Sequence, residues 1–147
     1  MPEVHITAII GKHTRIGPYS ILEDGVEIGE HCIIESCVKI YTGVRMGDNN
    51  QLLHGAVIGG SPQNLDFDIN IRSGVTIGEN NIFREHSTVH RSMFENRTTL
   101  IGNGNLIMAT GHIAHGCILE DRNVICNGAL LVCSEQKRKP EILDQPN

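Results

Sequence analysis

An aliphatic residue returns at every sixth position through most of the chain. The series runs Val4, Ile10, Ile16, Leu22, Ile28, Ile34, Ile40, Met46, Leu52 and Ile58. It resumes at Ile71, Ile77, Phe83 and Val89, and again at Ile101, Ile107, Ile113, Leu119, Ile125 and Leu131. Glycine follows the aliphatic position at Gly11, Gly17, Gly29, Gly47, Gly59, Gly78 and Gly102, where a tight corner with unusual backbone angles favours it. Small or β-branched residues recur four places after it: Ala8, Thr14, Ser20, Val26, Cys32, Val38, Val44, Ala56, Val75, Ser87, Cys117 and Ala129. A strand whose side chains alternate in and out buries both classes. A period of six suits neither a 3.6-residue helix nor a sandwich of hairpins. Three one-hexad strands predict a triangular coil of about 18 residues, stacked on the next at roughly the 4.8 Å strand spacing, so that each face becomes a parallel sheet.

The pattern lapses twice. "GGSPQNLDFDIN" and "HRSMFENRTTL" are polar, turn-rich and out of register, which predicts loops over 60–70 and 90–100 that leave the solenoid on one side and border a binding site. Excising about one extra hexad at each restores the register and sets Val89 and Ile113 on neighbouring rungs of one face. His90 and His115 then become neighbours beside the second loop. After Leu131 the hexads end, so residues 1–131 form the repeat domain and 132–147 a polar tail or short capping segment, its Lys137, Arg138 and Lys139 solvated.

Composition narrows the picture further. Aromatic residues make up only 3% of the 147 residues and Trp is absent, so the core must be narrow and aliphatic. A net charge of -5 argues against nucleic acid as a general partner. Five cysteines, an odd number without a CxxC pair, predict reduced thiols in place of a disulfide framework or zinc knuckle. No apolar run reaches the roughly 18 residues of a membrane span, and the first residues lack a signal-peptide pattern. A cytoplasmic protein without an integral membrane segment is expected.

The hexads resemble those of the hexapeptide-repeat proteins, an all-β class of left-handed parallel β-helices; the left hand comes from that resemblance, since general crossover rules favour the right. Within the class, the order "IGGSPQNLDF", "IGENNIFREHSTVHR" and "IGNGNLIMATGHIAHGCILEDRNVICNGALL" is similar to the UDP-N-acetylglucosamine acyltransferases of lipid A biosynthesis, over about residues 6 to 131. This resemblance implies an acyltransferase that moves a 3-hydroxyacyl chain from acyl carrier protein to a UDP-amino sugar. It implies no bound cofactor, because the acyl group arrives on the phosphopantetheine of the carrier. His115 matches the general base; an alcohol is a poor nucleophile near neutral pH, and an imidazole can take its proton and return it to the leaving thiol. His90 and His112, the latter at the preceding corner, match residues that line the substrate, as does Gln63 in the first loop. The resemblance also implies a homotrimer with sites between subunits.

Several positions depart from the family pattern. Gly116 stands where the family has an acidic residue that orients the catalytic histidine, and Asn64 and Asp66 replace a loop carboxylate and lysine near the sugar. Val132 aligns with a glycine whose amide supports the oxyanion, and Cys133 with a neighbouring histidine. The family's last coils and C-terminal helical domain have no counterpart in this stretch. Two alternatives follow: a non-catalytic paralogue that binds nucleotide sugar or acyl carrier protein, and a histidine-ligated metalloenzyme of the γ-carbonic-anhydrase type. Against the latter, the second histidine pair here is spaced HxxH, not HxxxxH. His5, His13, His31 and His54 read as solvated, His86 more readily as a surface residue than as a substrate neighbour, Cys32 and Cys117 as core filler. Arg72, Arg84, Arg91 and Arg97, around the two loops, read equally as ordinary exposed surface and as a basic landing site for the acidic acyl carrier protein.

Overall fold

The structure is a computed structural model, and it describes residues 1–134; the tail beyond lies outside the described residues. Nineteen short strands are seen there, in parallel sheets of seven, six and six strands. Each strand pairs with the third one before and after it, so successive strands belong to successive faces. Val4 lies beside Leu22, Ile10 beside Ile28 and Ile16 beside Ile34, a rise of one rung per 18 residues. This is the predicted left-handed parallel β-helix.

The hexad residues form its axis. Leu22, Ile28, Ile34, Ile40, Leu52, Ile58, Phe83, Val89, Ile107 and Ile113 are buried, as is Ile77. Expectation fails at the ends: Val4 is exposed, and Ile10, Ile16, Ile125 and Leu131 are only partly covered, because a terminal rung has a neighbour on one side alone. Ile71 also departs from the expected register. The coil re-enters only at Gly74–Ile77, beside Val44–Met46, so the first loop spans 61–73 and Ile71 belongs to it. The second loop is shorter than expected, 91–97, because Thr98–Ile101 is already a strand of the second sheet.

The glycines that follow the aliphatic positions serve a different purpose from the one expected. Except at Gly59, their backbones are not left-handed. Instead they stack rung on rung: a Cβ on Gly17 would stand 2.7 Å from the Glu35 carbonyl carbon, and one on Gly47 2.9 Å from the Gly78 oxygen. Side chains are excluded there by the coil spacing itself. The left-handed corners are taken by residues two places later, such as His13, His31, Asn49 and Asn80.

At the corner between the second and third sheets, an internal ladder replaces the aliphatic filling. Asn50, Asn81 and Asn105 are buried. The Asn50 Oδ1 accepts the Asn81 backbone N–H at 2.9 Å and its Nδ2–H at 3.1 Å. Asn81 receives the same pair from Asn105, and Asn105 from Asn123. The remaining amide hydrogens reach backbone carbonyls, Asn50 to Gly78 and Asn81 to Gly102. Each buried amide is therefore satisfied.

The cysteines correct a further expectation. Cys117 and Cys133 are joined in a disulfide across a Cα separation of 5.1 Å, well within bridging range. Sixteen residues apart in sequence, they are brought together because one turn of the coil is nearly that long. Cys32, buried, and Cys37 and Cys126, exposed, are free thiols. Among the described residues no helix is long and apolar enough to cross a membrane.

Candidate functional site

The first sheet builds the site. Thr88–His90 and His112–Ile113 are adjacent strands with Thr88 beside His112 and Val89 beside Ile113. Val89 and Ile113 face the core, so alternation turns Thr88, His90 and His112 outward. The His90 and His112 rings meet edge to face, 4.5 Å between centroids and 71° between planes. Thr88 Oγ1 lies 2.6 Å from His112 Nδ1, a hydrogen bond that fixes the ring. His112 thus sits within the strand, not at a corner as expected; the corner residue is His115, half-buried on the turn that follows.

Electrostatics bind the three together. Burial first, and then the neighbouring His112 and His115, push the His90 imidazole down to about 4. His112 is lowered too, by burial first and then by His115. Near neutral pH both rings are uncharged, able to accept or donate a proton at a nitrogen. The register sets Val89 beside Ile113 as expected; the ring that meets His90 is that of His112, with His115 near enough to lower both.

The loops frame this face. The Arg91 guanidinium donates from Nη1 to the Ile71 carbonyl at 2.7 Å and from Nη2 to that of Ile69 at 3.2 Å. It also lies over the Phe67 ring at 4.8 Å. Glu95 accepts the Arg72 backbone N–H, and the Ser73 hydroxyl donates to the Ser92 carbonyl. The two loops are thereby clasped to each other and to the histidine strand. Gln63, Asn64 and Asp66 stand exposed on the first loop, with Asn64 Oδ1 capping the Asp66 N–H.

Val132 is exposed just after Leu131, whose partner is Ile113, which sets it on the rung above the His112–His115 turn. Cys133 is engaged in the disulfide. The remaining histidines are exposed, as expected of His5, His13, His31 and His54, and four of them meet in pairs: His13 stacks on His31 at 4.9 Å and His54 meets His86 at 5.4 Å. Arg84 pairs with Glu85, and Arg97 lies over Phe94, so with Arg91 on the first loop three of the four arginines have local partners. Thr88 was missed as a ring-orienting group, although its spacing from His112, like that of Val89 from Ile113, was readable. Among the described residues no group of three His, Cys, Asp or Glu side chains is arranged to hold a metal ion.

Residues 7–42 match the family model of the bacterial transferase hexapeptide, six repeats. Over 138 residues the chain is 38% identical to the acyl-[acyl-carrier-protein]--UDP-N-acetylglucosamine O-acyltransferase of Thermodesulfovibrio yellowstonii, covering 89% of this chain and 53% of that one. Among solved structures it is similar to the UDP-N-acetylglucosamine acyltransferase of Bacteroides fragilis, with a TM-score of 0.84, 34% identity and coverage of 88% and 51% of the two chains. The homologous protein of Acinetobacter baumannii gives a TM-score of 0.84 at 35% identity, covering 88% and 50%. The chain spans about half the length of the curated relatives it matches.

Proposed function

We propose that this chain, a hexapeptide-repeat β-helix protein similar to the UDP-N-acetylglucosamine acyltransferases, transfers a 3-hydroxyacyl chain from acyl carrier protein to a UDP-amino sugar. His115 acts as general base. Its imidazole takes the proton of the sugar hydroxyl as that oxygen attacks the thioester carbonyl. The tetrahedral intermediate then expels the phosphopantetheine sulfur, which receives the proton back from the imidazolium, leaving an ester and a free thiol. His90 and His112, held neutral, hydrogen-bond the sugar or the developing charge, and Gln63 and Asn64 contact the sugar from the first loop. The Val132 amide supports the oxyanion. No cofactor enters these steps.

The observation that carries this reading is the triad of imidazoles on adjacent rungs, on an outer face flanked by both loops. A sealed prism can offer substrates only its outside, so a second subunit must wall the groove; the active form is a homotrimer with parallel axes, and light scattering tests it. The decisive measurement is mass-spectrometric detection of acyl transfer from acyl carrier protein to a panel of UDP-sugars, wild type against His115→Ala. Equal rates in both overturn the assignment of His115. Binding of a UDP-sugar without transfer favours the non-catalytic paralogue. The metalloenzyme alternative draws no support from the side-chain geometry among the described residues.

A further inference from the structure

We propose that Thr99 is the positioning residue of the histidine cluster, its buried hydroxyl tying the peptide of His90 to the peptide that follows His115. The effect on rate rests on the acyl-transfer reading above; the effect on the histidines does not.

Thr99 is wholly buried in the second sheet, at the inward position that neighbouring rungs fill with Val75 and Val44. Valine suffices for packing there, so the hydroxyl must be explained by its bonds. Its Oγ1 donates to the His90 carbonyl at 2.7 Å and accepts the Gly116 N–H at 2.9 Å. Donor and acceptor capacity are both used, which offsets the desolvation of a hydroxyl in an apolar wall.

Two other rungs carry the same brace. Thr14 donates to the Gly29 carbonyl at 2.7 Å and accepts the Cys32 N–H at 3.0 Å; Ser20 donates to Glu35 at 2.6 Å and accepts from Val38 at 3.1 Å. In both, the two tied groups belong to the next rung, far from the histidines. At Thr99 the carbonyl partner instead lies nine residues earlier, across the second loop. One hydroxyl therefore holds the loop's point of departure and the His115 turn in a single register.

Backbone hydrogen bonds hold that turn on both of its sides. Gly116 brings no side chain and has a left-handed backbone, φ 70°, so the flanking peptides contribute to where His115 stands. The Ala114 N–H is held by the Leu131 carbonyl at 2.9 Å and the Gly116 N–H by Thr99. Loss of the second anchor lets the turn drift relative to His90.

The test compares Thr99→Val, Thr99→Ser and the matched control Thr14→Val. The readouts are the imidazole Cε1–H resonances of His90 and His115, and acyl transfer. Thr99→Val is expected to move both resonances and to lower kcat roughly 10–100-fold with KM for the UDP-sugar little changed, the cost of a misplacement of about an ångström. Thr99→Ser should restore both. Thr14→Val should lose comparable thermal stability and move neither. If Thr99→Val behaves as Thr14→Val in resonances and rate, Thr99 is a structural brace only and the proposal is overturned. If the wild type transfers nothing, the acyl-transfer reading fails, while the resonances still decide the role of Thr99. A wild-type measurement stands beside the variants: the Gly116 amide should exchange with solvent as slowly as that of Ala114, and rapid exchange overturns the brace.

Discussion

Two stacks of like polar residues run along this prism, and they have opposite energetics. Inside the corner between the second and third sheets, Asn50, Asn81, Asn105 and Asn123 pass hydrogen bonds from rung to rung. On the outside of the first sheet, His90 and His112 stack with His115 close enough to depress both. An amide carries donor and acceptor together, so a column of amides satisfies itself and can be buried. An imidazole column gains little from its own repetition: protonating any ring raises the cost of protonating the next, and partial burial adds desolvation. A ladder of the first kind is what a β-helix uses to hold a corner. A cluster of the second kind lowers its own pKa values, and such perturbed groups gather at working sites.

That contrast can be broken from either side. The largest expected effect is at the imidazoles: His115→Ala should reduce acyl transfer by about 10²–10⁴-fold while leaving the melting temperature near that of the wild type. The mirror image is Asn81→Ala. It takes the Asn81 side chain from the Asn105 N–H and Nδ2–H and from the Gly102 carbonyl, while Asn50 Oδ1 keeps only the backbone N–H of residue 81, so unfolding in denaturant should show a loss on the order of 2–4 kcal/mol, with transfer unaffected under conditions where the variant is folded. A smaller effect concerns pH. With His90 lowered in the folded state to about 4 from an ordinary value near 6.5, the unfolded chain binds the extra proton between those values. Stability should therefore fall as the pH drops from 6.5 to 4, and His90→Asn should flatten that part of the curve. The smallest effect is at Ser87, a buried hydroxyl with no partner among the described residues. Unlike Thr14, Ser20 and Thr99 it braces nothing, so Ser87→Ala should change stability by no more than about 0.5 kcal/mol. A loss of several kcal/mol there would contradict the distinction between braced and idle hydroxyls.

Much of this was legible in the hexads, because a stacked coil repeats its environment every 18 residues and so repeats its residues. The asparagine ladder belonged to the same signal: Asn50, Asn81, Asn105 and Asn123 all occupy the small-residue position four places after Met46, Ile77, Ile101 and Leu119. It was obscured because asparagine reads as a turn former when its stacking partner is out of view. The first loop misled for a related reason. Ile71 happens to stand one hexad before Ile77, yet its backbone N–H bonds to Asp68 within the loop, and local periodicity cannot distinguish such a coincidence from a rung. The cysteine count misled because an odd number says only that one thiol is left over, and does not prevent Cys117 and Cys133 from meeting one coil apart.

What the sequence determined by itself is periodic: the three-faced coil, its parallel stacking, the approximate loop sites and the setting of His90 on the rung beside the His112–His115 turn. Each follows from hydrophobic burial at a fixed interval, a constraint written into every rung. What only the tertiary structure decided are the contacts made once: the Arg91 clasp on the first loop, the disulfide over the last described rung, and the Thr99 hydroxyl between His90 and Gly116. These depend on where two loops of unequal length return to the prism, and no repeat can specify a geometry that occurs a single time.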